Sequence, residues 1–239
     1  MNLILFDIDG TLAISTQSVL EHHKKILRNL VEKGYILGLA GGSSYDKIKS
    51  QFGNEINLFE YVFSECGSVC HMNGNLVKSN SIIEKLGNEY LNDIINTCLK
   101  YISILELPMK RGNFILFRNS MLYVSPMGSM DNVNERKIFM EFDEKHLIRK
   151  HMTSFLQSKY SDLDITIGGQ LGISITPKGW NKGQCMDFVE KYKYNKIYFF
   201  GDKTSKDGND YPIYSHKDVI GYTVSNPDET IQLLQKHLL

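Results

Sequence analysis

Two carboxylates, Asp7 and Asp9, stand two residues apart at the end of the first apolar run, in Phe6-Asp7-Ile8-Asp9-Gly10-Thr11-Leu12. The preceding Leu3-Ile4-Leu5-Phe6 has the length and content of a buried strand. In an extended chain, residues i and i+2 share a face, so the pair can converge on one small volume, subject to how the turn at Gly10 reorients the second. Like charges that close are costly unless a cation compensates them, and a donor set made of oxygens favours Mg2+. One carboxylate is then suited to attack phosphorus and the other to move a proton. The spacing therefore predicts phosphoryl transfer.

Two further stretches carry related chemistry. Tyr35-Ile36-Leu37-Gly38-Leu39-Ala40 reads as a second apolar strand and runs into Gly41-Gly42-Ser43-Ser44-Tyr45. Small residues between a strand and a helix let backbone N–H groups, as at Gly42, and a hydroxyl, as at Ser43, hold an anion. Later, Lys196-Ile197-Tyr198-Phe199-Phe200 delivers Gly201-Asp202-Lys203-Thr204, with Asn209-Asp210 just beyond. An aspartate at a strand end with a second acid behind it can complete a magnesium site: Asp202 as ligand, Asp210 holding ligands or water in place.

The elements that must position these groups follow a strand–helix–strand rhythm. A helix is predicted over 18–33, closed by Gly34, and another through Ile48 and Phe52, with a strand at Tyr61-Val62-Phe63. This order implies a parallel sheet with its site at the carboxyl ends of the strands. After about residue 80 the rhythm changes. One long helix is predicted over 83–105 and a charged helix over 141–159, with strands at 114–118, 121–125, 165–167 and 171–175. The strands flanking Asn119-Ser120 predict a hairpin. Antiparallel strands and helices inside a parallel-sheet protein predict an inserted domain: 1–80 and 180–239 as core, 81–179 as insertion.

Composition narrows the classes. With 239 residues there is room for one or two domains and a full core. Lys+Arg and Asp+Glu both number 27, so no net field attracts nucleic acid or a membrane surface. No apolar run approaches the roughly 20 residues needed to span a bilayer. A strand is expected at once from the first residues, without a signal-peptide layout. Four cysteines suggest reduced thiols and a cytoplasmic setting, and Cys66-x-x-x-Cys70-His71 lacks the second half of a zinc site near by.

Asp7-x-Asp9-Gly10-Thr11-Leu12 after an N-terminal strand resembles the first motif of the haloacid-dehalogenase superfamily. Ser43, one βα unit later, matches its second motif, Lys182 its third, and Asp202 with Asp210 its fourth. The resemblance narrows to the eukaryotic-type phosphomannomutases. It does so in Gly41-Gly42-Ser43-x-Tyr45-x-Lys47-Ile48, Leu107-Pro108-x-Lys110-Arg111-Gly112, Phe117-Arg118-Asn119, Gly168-Gly169-Gln170, Gly179-Trp180 and Phe199-Phe200-Gly201-Asp202-Lys203-Thr204.

This likeness implies an α/β fold, a Rossmann-like haloacid-dehalogenase core with a parallel sheet plus an inserted α/β cap domain. It implies a magnesium-dependent mutase that interconverts mannose 6-phosphate and mannose 1-phosphate. Asp7 would take a phosphoryl group from a hexose 1,6-bisphosphate activator, and Asp9 would serve as general acid and base. Gly42, Ser43 and Lys182 would bind the moving phosphoryl group. Asp7, Asp9, Asp202 and Asp210 would form the metal site. Cap arginines Arg118 and Arg136, with Arg111 on the same strand region, would hold the sugar phosphate, and the chain would form a homodimer through the cap.

The match is uneven on the specificity side. Family arginines are replaced by Thr16 and Ser129, and a sugar-gripping serine and aspartate by Gly172 and Ser174. Ser44, Asn181, Cys66 and His216 also depart from the pattern. Losing one charged phosphate partner costs about 1.5–3 kcal/mol, roughly 10- to 100-fold in binding. A phosphatase, or a mutase of another sugar phosphate, is therefore the alternative expectation.

Overall fold

A computed structural model describes residues 1–15, 17–129, 132–189, 193–206 and 208–239. Thr16 lies outside the described residues. The chain divides into two compact units, Met1–Ser79 with Trp180–Leu239, and Asn80–Gly179.

The first unit is built on a sheet of seven strands: β1 (Asn2–Phe6), β2 (Tyr35–Ala40), β3 (Phe59–Ser64), β4 (Val69–Met72), β5 (Asn75–Ser79), β10 (Lys196–Gly201) and β11 (Val219–Thr223). Their order is β11-β10-β1-β2-β3-β4-β5. The first five in that order are parallel, and β1 lies between β10 and β2. Leu3 to Phe6 are wholly buried, which explains why this strand reads as a continuous apolar run rather than an alternating one. Helix α1 (Glu21–Glu32) buries His23, Leu27 and Leu30, one stripe at helical spacing. Helix α2 (Tyr45–Phe52) buries Ile48, Gln51 and Phe52. The expected parallel sheet is present, and β4 and β5 add an antiparallel edge to it. The turn from β3 into β4 is short, and a short connection can only return antiparallel.

The second unit is a four-stranded antiparallel sheet in the order β6-β7-β9-β8. Its strands are β6 (Asn113–Phe117), β7 (Leu122–Ser129), β8 (Leu163–Gly168) and β9 (Gly172–Pro177). Leu122, Val124, Ile165, Ile173 and Ile175 form one face of a core with Ile94, Cys98, Met152 and Leu156. On the alternate positions Tyr123 faces Ser174, and Ser174 faces Thr166, across adjacent strands.

Two predicted helices are each split. The helix expected over 83–105 is α3 (Ile82–Leu86) and α4 (Asn88–Ile104), broken at Gly87 with φ +76°. The apolar periodicity runs through the break, so only the glycine signalled it. The helix expected over 141–159 begins earlier, as α5 (Val133–His146), and gives way to α6 (Ile148–Lys159). Asn132 starts α5 by accepting the N–H groups of Asn134 and Glu135. Leu147 ends it in the left-handed region, φ +54°, a conformation that costs a branched side chain roughly 1–2 kcal/mol. Leu147 is 42% exposed, so little packing opposes its replacement. Leu147→Gly should therefore stabilise this unit by about 0.5–1 kcal/mol. Slower amide exchange in α5 and α6 checks it; faster exchange there overturns it.

Candidate active site

Strand register assembles the site. Phe6 of β1 pairs with Phe200 of β10, so Asp7 emerges level with Gly201 and Asp202 follows one residue later. The Asp7 N–H donates to the Phe200 carbonyl at 2.9 Å, extending the ladder by one bond. Gly10 then folds the chain back at φ +96°, and a Cβ there would lie 2.6 Å from Asp202 Oδ2. Only glycine allows this loop to lie against the neighbouring acid. Ser43 and Gly42 follow β2, the strand on the other side of β1. Ser44 starts α2 with extended backbone, so first-turn N–H groups of that helix face the same strand ends.

Lys182 enters from the second core segment, in a short 3-10 turn, Lys182–Gln184. Its Nζ is fully buried and donates to Asp7 Oδ1 and, at 2.6 Å, to Asp210 Oδ1. Asp210 is itself fully buried, and its Oδ2 accepts the Lys203 N–H at 3.0 Å. Both Asp210 oxygens are thus engaged by protein donors. One carboxylate oxygen from each of Asp7, Asp202 and Asp210 lies within 4.8 Å of the others.

Three acids against one ammonium leave an excess of negative charge. Burial, with the charges of Asp210 and Asp202 adding to it and Lys182 opposing it, raises the Asp7 carboxyl to about 7. Burial also raises Asp202, and Asp210 adds to the effect against the pull of Lys203. The charges of Asp210 and Asp7 outweigh burial at Lys182 and keep it protonated. This all-carboxylate set with an unmatched charge fits a hard divalent cation.

The four acids expected together are not all together. Asp9 Oδ1 accepts Gln51 Nε2 at 3.0 Å, and its carboxylate is not part of the clustered three. The turn at Gly10 has reoriented it. Gln51 was not read from the sequence; its signal was a polar residue beside Ile48 and Phe52 on the buried face of α2.

In the second unit, Arg118 lies over the Tyr123 ring, 5.4 Å from its centroid. Burial raises the Tyr123 hydroxyl, and the positive charges of Arg118, Arg149 and Arg136 oppose that shift. Arg111 instead pairs with Glu135 at 2.9 Å, and Glu135 adjoins Arg136 on α5. Ser129 ends β7, half-buried.

An acid at the end of a central parallel strand meets a buried lysine, an acid just past the neighbouring strand and a second acid in the loop beyond it, an arrangement suited to phosphoryl transfer. A haloacid dehalogenase-like hydrolase from B. subtilis shares the fold, with a TM-score of 0.67 at 16% identity over 100% of both chains. The family described as eukaryotic phosphomannomutase matches residues 23–239. Phosphomannomutase from Encephalitozoon cuniculi is 42% identical over 99% of this chain and 93% of its own. That from Schizosaccharomyces pombe is 42% identical over 98% and 93%. The chain belongs to the eukaryotic phosphomannomutase family.

Two measurements follow from the geometry. Lys182→Ala leaves Asp7 and Asp210 buried without their cation and should cost about 3–5 kcal/mol in denaturant unfolding. The pH response has a definite sign. Because Asp7 holds its proton more tightly folded than unfolded, the folded state carries the extra proton between the ordinary 3.8 and about 7. Stability then falls as pH rises through that window. Chelator-treated protein should melt at a lower temperature at neutral pH than at mildly acidic pH, with Mg2+ or Asp7→Asn flattening the slope. A slope of the opposite sign would remove this account of Asp7.

Proposed function

We propose that this protein is a magnesium-dependent phosphomannomutase that interconverts mannose 6-phosphate and mannose 1-phosphate. The observation that carries the reading is the buried contact of Lys182 with Asp7 and Asp210, beside Asp202, in a chain of this family. Lys182 takes one oxygen of Asp7 and leaves the other for chemistry.

Asp7 attacks phosphorus, forming an aspartyl phosphate as the bond from phosphorus to the sugar oxygen breaks. Asp9, oriented by Gln51, protonates that departing oxygen. The monophosphate turns round, and Asp9 takes the proton from its other hydroxyl, which then attacks the aspartyl phosphate and frees Asp7. Ser43, the Gly42 N–H and Lys182 hold the oxygens of the transferring group. Mg2+ held by Asp7 and Asp202 would supply charge neutralisation at the moving phosphoryl group, with Asp210 fixing Lys182 rather than binding directly. A hexose 1,6-bisphosphate serves as activator, because the unphosphorylated Asp7 must first be charged.

Arg118 and Arg136 bind a phosphate of the substrate, and the seat of Arg118 over the Tyr123 ring supports this for the first of them. Arg111 acts through Glu135 by steadying α5. Exposed Ile83, Leu99, Ile104 and Phe117 on the inserted unit support a homodimer formed through it. Free thiols at Cys66, Cys70, Cys98 and Cys185 support a cytoplasmic setting. No described helix is long and apolar enough to cross a membrane.

A second reading, a phosphatase or a mutase of another sugar phosphate, has one specific observation behind it. A Cβ at Gly172 would lie 2.5 Å from Tyr123 Cζ, so the phenol ring fills the space a side chain there would need. The sheet face around Ser174 is shaped by an aromatic ring.

Conversion of mannose 1-phosphate to mannose 6-phosphate, with bisphosphate activator, tests the proposal. Asp7→Asn should abolish turnover, and Arg118→Ala should lower kcat/KM about 10- to 100-fold. Phosphate release outrunning isomer formation would favour the second reading, and no turnover from an Asp7 that still accepts phosphoryl groups would exclude the first.

A further inference from the structure

A group of side chains outside the acidic site has the chemistry of a second metal centre. His22 and His23 open α1, and Asp228 lies in the first turn of α9 (Pro227–His237). The three offer ligand atoms within 4.8 Å of one another. His23 Nε2 is 3.1 Å and His22 Nε2 3.5 Å from Asp228 Oδ1. Zinc bonds of about 2.0–2.2 Å in a tetrahedral arrangement require ligand atoms roughly 3.3–3.5 Å apart. The two separations bracket that edge.

The proton count at His23 points the same way. Its ring is buried, 1% exposed, and Nδ1 is 3.3 Å from the Leu12 carbonyl. A carbonyl only accepts, so Nδ1 carries the hydrogen in this contact. In the neutral imidazole Nε2 then presents a lone pair, and it presents it to a carboxylate oxygen, which is also an acceptor. Two acceptors at 3.1 Å repel unless a cation sits against both or the ring takes a second proton. A hydrogen bond from the far ring nitrogen to a backbone carbonyl is also how metal-binding histidines are oriented.

We propose that His22, His23 and Asp228 bind a borderline divalent d-block cation of the zinc class, with a fourth position open to water. Two imidazoles and one carboxylate select against magnesium, which takes oxygen donors, so this centre and the all-carboxylate cluster divide the two kinds of cation between them.

The centre also has a mechanical consequence. Thr230, two residues after Asp228, donates its hydroxyl to the Thr11 carbonyl at 2.7 Å. The N-termini of α1 and α9 thus both grip the Thr11–Leu12 segment, which follows Asp9 and Gly10 directly. A cation joining His22 and His23 to Asp228 clamps those two helix starts together over that segment.

The test uses the full chain, stripped with chelator and then held in excess Mg2+ to fill the acidic cluster. Titration with Co2+ should give the visible d–d bands of a four-coordinate nitrogen–oxygen site at one equivalent. Zn2+ at about a hundred times its Kd should raise the melting temperature by about 5–10 °C. His22 and Asp228 are exposed, so His22→Ala and Asp228→Asn should fold normally, lose the bands and lose the shift. His151→Ala, an exposed histidine elsewhere, should keep both. Absence of cobalt bands overturns the proposal. Bands unchanged in both His22→Ala and Asp228→Asn also overturn it.

Discussion

A lysine ammonium enclosed by two carboxylates organises the core. Lys182 reaches Asp7 across 175 residues of chain and Asp210 across 28, and none of the three is appreciably exposed. Removing three charges from water is costly, and their attraction recovers that cost only when every remaining donor and acceptor is matched. Here the match extends to the backbone, because the Lys203 N–H closes the second oxygen of Asp210. The inserted unit interrupts the core sequence between Ser79 and Trp180. The contact can form only after both core segments have folded onto the same sheet, so it ties the order of the chain to completion of the site.

The same cluster explains why the site is reactive rather than merely stable. A closed ion pair would have one acid per lysine. Asp202 brings a third acid, and burial then holds Asp7 near neutrality instead of fully ionised. A divalent cation held by Asp7 and Asp202 would supply the compensating charge that favours the ionised, nucleophilic form of Asp7. Gly10 is part of the same arrangement: its missing side chain is what brings the turn after Asp9 against Asp202.

Much of this was legible because buried parallel strands write themselves as apolar runs. Leu3 to Phe6, Tyr35 to Ala40 and Lys196 to Phe200 each announce a strand, and the chemical residues fall at their ends. The features that escaped are those set by single backbone angles or by contacts distant in sequence. Leu147 carries no mark of its left-handed turn, and α5 and α6 therefore read as one helix. Gly87 was such a mark, but the apolar spacing on either side stayed in phase. Asp9 shares a face with Asp7 only in an extended chain; the turn at Gly10 hands its carboxylate to Gln51 instead. Asp210 reads as an acid backing a magnesium site, and its contact with Lys182, 28 residues away, left no mark in the sequence.

The acidic cluster and the open face of the inserted sheet differ in how tightly their members depend on one another. In the core, Lys182 is matched by Asp7 and Asp210, so replacing the lysine leaves two buried carboxylates without their cation. On the open face of the inserted sheet the neighbours are less interdependent. Tyr123, Ser174 and Thr166 stand in one row, and the change to Gly172 is compatible with its surroundings only because the Tyr123 ring occupies the vacated volume. A pair of that kind can move together without touching the core that lies beneath the strands. A substitution on this face therefore disturbs fewer buried partners than one in the acidic cluster.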